Sequence, residues 1–438
     1  MKKIEEKKLN TVSPSRHPQL SPPLTPPRAG GELSGRGRTA RQEGRIRVAI
    51  AMSGGVDSSV AAKILKDQGY DVVGFMMKLW SDPDSCSTRE NACCDDQGVI
   101  DAKKVADQLG IPFYLVNAKE IFKKEVADYF LDEYKNLRTP NPCVVCNEKI
   151  KFGWLLDFAK KTGCDYLATG HYARIVDDSE NSKLETRNSK QKILKPFGLA
   201  QGGQVQDDNV NNYHLLKGKD ENKDQSYFLY RLNQEQLKHI IFPVGEYTKE
   251  EVRALAKKWN LPVHEKKESQ EICFIQEKDY RDFLKKNIPA DFFKPGEIID
   301  LSGNVVGKHE GLINYTIGQR KNVNQELRIM NHGDKEPLYV VGFNVEKNQL
   351  IVGEDKDVYK DHMNVEDVHF VQNHESRIKN QEELQVKIRY RHPAVPCRIT
   401  IHNSSFMIQF FEPQRAITPG QSAVFYSGDE VLGGGIIQ

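Results

Sequence analysis

At 438 residues, 38% hydrophobic and 28% charged, the chain is long for one core and ordinary for a folded protein, so two or three domains are expected. No window approaches the roughly 18 uninterrupted apolar residues of a membrane span, and the first residues lack the apolar run of a secretory signal. Eight unevenly spaced cysteines are too few for a disulfide scaffold and point to thiol chemistry or metal binding. The net charge of +2 conceals an asymmetry: residues 1–47 hold eleven Lys/Arg against four Asp/Glu, which leaves 48–438 at −5. A nucleic-acid surface must therefore be a local basic patch rather than a general field.

Residues 1–45, rich in Pro, Gly, Ser and Arg, show no apolar periodicity and read as a disordered extension. Gly35, Gly37 and Ala40 match a dinucleotide-binding pattern, but no strand precedes them and the match is discarded. An organelle transit peptide is one reading of this segment, weakened by Glu5, Glu6 and Glu32; a plain tail on a cytoplasmic protein without membrane association is the favoured expectation. From Arg47 the pattern changes: Val48, Ala49, Ile50, Ala51 and Met52 form an apolar run, followed by a glycine turn and by Val60, Ala61, Ile64 and Leu65 at helical spacing. Segment 71–77 reads as a second buried strand and 112–116 as a third strand, separated by a helix through Ala102, Val105, Ala106 and Leu109 that stops at Gly110. Phe122, Val126, Tyr129 and Phe130 mark a further helix, Ile150, Trp154, Leu155 and Phe158 another, and 166–169 a strand. This alternation predicts an α/β domain with a parallel sheet covered on both faces.

Residues 177–212 are polar and aperiodic and read as an inserted flexible loop. Helical spacing returns at 234–241 and 249–259. Beyond about residue 290 the signal becomes short strands between Gly, Pro and Asn turns, at 297–300, 338–343, 386–390, 398–402, 407–411 and 422–426, which predicts small β-rich, barrel-like domains. The expected division is a 1–45 extension, an α/β domain over 46–281, a small β-rich domain over 282–358 and a β-barrel-like domain over 359–438.

Ser53-Gly54-Gly55-Val56-Asp57-Ser58 lies between a buried strand and a helix. Two glycines let the backbone approach an anion closely, and amides at the helix N-terminus point outward to receive it. Asp57 is unexpected beside phosphate unless it caps the helix or holds a divalent cation, and no P-loop lysine motif is present. The turn resembles the pyrophosphatase (PP) loop of the ATP pyrophosphatase superfamily, whose members cleave ATP to AMP and pyrophosphate; GMP synthetases, NAD synthetases and tRNA-thiolating enzymes share it, so the loop alone leaves the acceptor open.

Further along, Arg138-Thr139-Pro140-Asn141-Pro142-Cys143-Val144-Val145-Cys146 sets two thiols at a helix start. Its prolines exclude a helix before Cys143, so Cys143-x-x-Cys146 is expected in a rigid loop at the helix start. The helix dipole with Lys149 and Lys151 would favour thiolate. Cys273 offers a third thiol at the edge of an apolar run. Taken separately, Cys143 and Cys146 could be half a zinc site and Cys273 ordinary packing. Cys86, Cys93 and Cys94 form no familiar metal spacing and read as incidental.

Taken together, segments 51–58, 138–152, 167–174, 223–229, 269–275, 307–321, 387–392 and 419–426 resemble tRNA-specific 2-thiouridylases, in that family's order. The resemblance implies an adenine nucleotide alpha hydrolase-like (PP-loop) domain followed by small β domains, and ATP-dependent thiolation of carbon 2 of the wobble uridine. By motif, Ala51, Met52, Ser53, Gly54, Gly55, Val56, Asp57, Ser58, Met77 and Gly170 would contact ATP, with Mg²⁺ accompanying it. Cys146 would be the nucleophile and Cys273 the persulfide carrier. Asn141, Pro142 and Cys143 would meet the target base, and His171, Lys223, Asp224, Gln225, Arg389, Tyr390 and Gln421 would contact tRNA. A persulfide-carrying donor protein is implied as partner, and a monomer is expected. Many relatives carry an aspartate where this chain has Cys143. The three thiols Cys143, Cys146 and Cys273 thus also make a possible ligand set for a [4Fe–4S] cluster.

Overall fold

The computed structural model describes residues 44–80, 96–178, 212–267, 272–275, 279–320, 323, 337–372, 378, 384–402 and 405–438. Most of the 1–45 extension, residues 179–211 of the insertion, Cys86, Cys93, Cys94 and residues 269–271 lie outside the described residues.

The first sheet grows outward from one buried strand. β1 (Arg47–Ala51) pairs in parallel with β2 (Asp71–Lys78) on one side and β4 (Tyr166–Ala168) on the other; β3 (Phe113–Asn117) extends beyond β2. Because neighbouring side chains on a strand face opposite ways, Val48 and Ile50 enter one apolar cluster and Ala49 the other. The first cluster is completed by α1 (Val56–Asp67), α2 (Asp96–Leu109) and the helix Lys249–Lys258. The second is completed by Phe152, Leu155, Leu156 and Ala159. They belong to the continuous helix over 142–161, whose segment Cys146–Leu155 winds with π geometry. Both faces are covered, as the alternating pattern predicts.

Two expectations change here. The helical spacing over 234–241 yields only a short helix, Gln234–Leu237; Ile240–Ile241 forms a parallel edge strand beside β4. A short apolar pair suits either element, and the open edge of β4 decides it. Arg389 and Tyr390 were expected in a strand over 386–390, but that strand is Leu384–Lys387 and the pair occupies the turn beyond it.

The antiparallel strands β5 (Ala173–Asp177) and β6 (Tyr213–Lys217) flank the insertion, and Asp178 and Asn212 close its base by hydrogen bonds between them. With the edge strand Ile240–Ile241 as β7, the first sheet has the order β3-β2-β1-β4-β7. A four-stranded sheet follows: β8 (Gly296–Ile299), β9 (Val305–His309), β10 (Tyr339–Asn344) and β11 (Gln349–Gly353), in the order β10-β11-β8-β9. Its core gathers Ile298, Leu312, Tyr315, Val340, Leu350 and Val352.

The C-terminal part is a closed six-stranded antiparallel barrel: β12 (Tyr359–Phe370), β15 (Ser405–Arg415), β14 (Val395–His402), β13 (Leu384–Lys387), β16 (Ser422–Ser427) and β17 (Glu430–Ile437), with β17 returning to β12. The closing strand carries Gly433, Gly434 and Gly435, a composition that hides it from strand propensity. Tertiary contact explains the glycines. A Cβ on Gly433 would lie 2.2 Å from the His369 carbonyl oxygen, and one on Gly435 2.6 Å from that of Glu366, both on β12. Without side chains, β17 lets β12 and β16 approach and close the barrel. β17 also pairs with β6 at Glu430, which ties the α/β part to the barrel.

Candidate active site

β1 is the centre of the first sheet, and the chain leaves it toward β2 and β3 on one side and β4 and β7 on the other. Ligands of open parallel sheets bind at such a switch point, beyond the carboxyl ends of the strands. Both segments that leave this point carry expected site residues: 52–58 after β1 and 169–172 after β4.

The loop after β1 is built from its own hydroxyls. Ser58 Oγ accepts from the Ser53 amide at 3.2 Å, lies 3.2 Å from Ser53 Oγ and donates to the Gly55 carbonyl at 3.3 Å. Gly54 adopts φ +70°, and a Cβ there would lie 2.3 Å from the Gly98 carbonyl oxygen, so the start of α2 presses directly on the loop. Gly55 is the N-cap of α1 and supplies no side-chain cap. The first amides of α1 are left for an incoming anion.

Asp57 neither caps α1 nor stands ready for a cation. Its carboxylate accepts from Lys249 Nζ at 2.7 and 2.9 Å and from the Tyr172 hydroxyl at 2.8 Å. Lys249 escapes motif reading because its local sequence is an ordinary helix start, Thr248 with Glu251 forming a capping box.

Pro142 occupies the first helical position behind the N-cap Asn141, where its missing amide costs nothing. Cys143 therefore lies in the first helical turn rather than in the expected loop, and Cys146 follows one turn later. Cys146 is buried, Cys273 half-buried, and Cys143 opens onto the cavity below; all three are free thiols. They feel one another: ionisation of Cys143 or Cys273 opposes that of Cys146, and Cys273 opposes Cys143. The 138–147 segment is anchored rather than free. The Thr139 amide donates to Pro419 at 2.8 Å, the Thr139 hydroxyl lies 3.1 Å from that of Thr316, and Gln421 Nε2 donates to the carbonyls of Thr139 and Pro140 at 2.9 and 3.1 Å. All three parts of the chain meet at this loop.

Burial reverses the expected thiolate character. It pushes Cys146 up to about 12, opposed by Lys151; Cys143, although exposed to the cavity, is pushed up to about 11 by desolvation from the surrounding walls and by Cys273. Lys149, the other expected cation, is exposed and pairs with Glu148 at 2.9 Å. Lys151 Nζ lies 3.5 Å from His171 Nε2, and burial together with that ammonium holds His171 neutral, well below the usual imidazole range. Below the folded pKa the thiol predominates, so capture of Cys143 and Cys146 by iodoacetamide should rise about tenfold per pH unit from pH 7 to 9. Peptide-resolved mass spectrometry would read this, and a plateau near pH 7 would contradict it. Lys151→Met should slow capture of Cys146 further.

A cavity of about 1790 Å³ joins these features. Every expected nucleotide residue except Gly54 lines it, as do Cys146, Cys273 and every expected tRNA residue except Asn141. Asn141 faces a second cavity of about 430 Å³ on the other side of the cysteine helix. The large cavity is lined by eleven Lys/Arg against four Asp/Glu, a local basic patch on a body whose net charge is −5. Among the described residues no group of three or more His, Cys, Asp and Glu is arranged to hold a metal ion. As placed, Cys143, Cys146 and Cys273 are not arranged as ligands of a single metal ion.

Residues 46–277 match the family model described as tRNA methyl transferase HUP domain, 281–354 the tRNA methyl transferase PRC-barrel domain and 360–437 the aminomethyltransferase beta-barrel domain. The chain is 46% identical over 396 residues to tRNA-specific 2-thiouridylase MnmA 1 of Caldanaerobacter subterraneus subsp. tengcongensis, covering 90% of this chain and 98% of that protein. It is 42% identical to tRNA-specific 2-thiouridylase MnmA of Clostridioides difficile, with coverage of 90% and 98%, and 43% identical to that of Acetivibrio thermocellus, with 90% and 99%. The chain belongs to the tRNA-specific 2-thiouridylase family.

In this 2-thiouridylase several residues expected at tRNA are also structural. Asp224 is buried and accepts from the amides of Gly218 and Ser226 at 3.0 Å each. Gln225 exchanges hydrogen bonds with the Tyr172 backbone at 3.0 and 2.8 Å, which fixes the loop after β4. His171 is set by Thr169 Oγ1 at 2.7 Å. Tyr390 packs on Phe228 with ring centroids 4.5 Å apart, Lys387 Nζ lies 5.7 Å from its ring, and Arg389 donates to the Arg415 carbonyl at 2.7 Å. Among the described residues no helix is long and apolar enough to cross a membrane.

Proposed function

We propose that this chain is an ATP-dependent tRNA-uridine 2-sulfurtransferase acting on the wobble uridine. One observation carries the reading: the phosphate loop and two thiols 127 positions apart, Cys146 and Cys273, line the same basic cavity. A ligase for a small acid would need the loop but not the converging thiols or the eleven cationic side chains.

The chemistry follows from the poor reactivity of an amide-like carbonyl. The uridine leaves the anticodon stack and enters beside Pro142 and Cys143, while Arg389, Arg391 and Lys387 meet the tRNA backbone. ATP lies with its phosphates on the first amides of α1, and the base oxygen O2 attacks the α-phosphorus as pyrophosphate departs. Mg²⁺ accompanying ATP would supply charge neutralisation on the polyphosphate. Both oxygens of Asp57 are engaged by Lys249, so the loop carboxylate is not a ready-made metal ligand.

The terminal sulfur of a Cys273 persulfide then replaces the adenylated oxygen at carbon 2, and AMP departs. In one order the persulfide sulfur attacks carbon 2 directly and AMP leaves, after which Cys146 attacks Cys273 Sγ and breaks the S–S bond to the base. In the other, Cys146 attacks Cys273 Sγ first and releases the terminal sulfur as sulfide, which then displaces AMP. Either order leaves a Cys146–Cys273 disulfide, which an external thiol must reduce each cycle. A persulfide-bearing protein reloads Cys273. Unmodified tRNA incubated with the protein, ATP, Mg²⁺ and a persulfide source should yield 2-thiouridine on nucleoside analysis, with AMP formed in equal amount. ATP consumption that follows a small acid and ignores tRNA would sink the reading.

A further inference from the structure

The hexapeptide 53–58 contains no lysine or arginine, yet a bound polyphosphate carries several negative charges. Lys249 brings an ammonium to this loop from 192 positions away, and its location breaks a local rule. It is the first residue of the helix Lys249–Lys258, where the positive end of the macrodipole disfavours a cation and where Glu250 and Glu251 follow the usual preference. It is also buried, at 6% exposure, although lysine is rarely buried without a partner. A residue placed against both helix polarity and solvation, while lining the cavity, marks function rather than stability.

We propose that Lys249 is the phosphate-neutralising lysine of this site, transferring its ammonium from Asp57 to the β- and γ-phosphates when ATP binds. This rests on the ATP-dependent function above and deepens it. Asp57 is the counter-ion that stores the ammonium at the cradle between turnovers. The geometry suits such a transfer. The Lys249 amide is anchored on Asp220 Oδ2 at 2.8 Å, so only the side chain need move. Asp57 keeps the Tyr172 hydroxyl at 2.8 Å after the ammonium leaves and is not stranded. Lys249 Nζ lies 5.8 Å from the Tyr172 ring, whose face supports the cation along its path. As pyrophosphate departs, the charge developing on it falls on an ammonium already in place.

Calorimetric titration of the full chain with ATP, inorganic pyrophosphate and AMP at fixed Mg²⁺ tests this. Lys249→Met should weaken ATP and pyrophosphate at least tenfold and leave AMP within twofold, since AMP lacks the phosphates concerned. Lys249→Arg, which keeps the charge, should retain pyrophosphate binding within about threefold of native. Unchanged ATP affinity in Lys249→Met, or equal loss of all three ligands in both variants, would overturn the inference and leave Lys249 a structural residue. Native protein that binds none of the three would instead overturn the ATP reading itself.

Discussion

Replacing Cys146 or Cys273 by serine is expected to abolish 2-thiouridine formation, by at least about a thousandfold, on the order of what loss of a covalent nucleophile costs. The substitution is nearly isosteric. At Cys146, buried with Ile150, Phe274 and Phe122, the new hydroxyl should cost roughly 1–3 kcal/mol of stability, which the fold should survive. Cys273 is half-buried and should cost less. Binding of tRNA should persist in both variants, because the cationic lining of the cavity is untouched. The two variants also separate the routes of sulfur release. With Cys146→Ser, no Cys146–Cys273 disulfide should form: direct attack would leave tRNA linked to Cys273 through an S–S bond, whereas release as sulfide would leave the persulfide on Cys273; with Cys273→Ser, none of these should appear. The measurement is nucleoside analysis together with peptide mass spectrometry, using purified protein and a persulfide donor. Substantial 2-thiouridine from either variant would refute the assignment of that thiol.

The second large effect is expected from one methyl group. Gly170 follows β4 at the switch point of the sheet, and a Cβ there would lie 2.7 Å from the Ser58 amide nitrogen and 2.8 Å from the Asp57 carbonyl carbon. Both are backbone atoms of the phosphate cradle, so neither can rotate away as a flexible side chain would. Gly170→Ala must push the loop off its present position, and overpacking of this kind costs about 1–3 kcal/mol. If most of that appears as lost cradle geometry, ATP affinity falls roughly tenfold or more, since about 1.4 kcal/mol is a factor of ten. The barrel lies outside this contact, so tRNA affinity should be retained. Calorimetric titration with ATP beside a filter-binding assay with tRNA reads both. Native-like ATP affinity in Gly170→Ala would show that the close approach has no part in forming the site.

Local periodicity carried the α/β half well. The run from Val48, the helix through Val60 to Leu65 and the strand at 71–77 are elements with buried faces, and burial writes itself into spacing, whereas the strand Phe113–Asn117 was legible from its apolar run although Tyr114 and Leu115 are exposed at the sheet edge. The barrel was less legible. β17 contains three consecutive glycines and β12 mixes exposed charges with Met363 and Val365, so neither carries a strand signal strong enough to read. Ile240–Ile241 could belong to either type until the edge of β4 was available to pair with it.

The amino-acid order by itself determined the alternation of strand and helix, the hydroxyl-rich glycine turn at 53–58 and the family to which the thiol segments belong, because each is a property of neighbouring residues. Only the tertiary structure decided that Cys146 and Cys273 line one cavity, that Asp57 is paired with Lys249, and that burial keeps Cys146 protonated. It also decided that the segment before Cys143 is pinned by Thr316 and Gln421. Each of these depends on groups remote in sequence and on removal from water. A thiol or an ammonium acquires its ionisation and its partner from what the folded chain packs around it, and no local pattern records that.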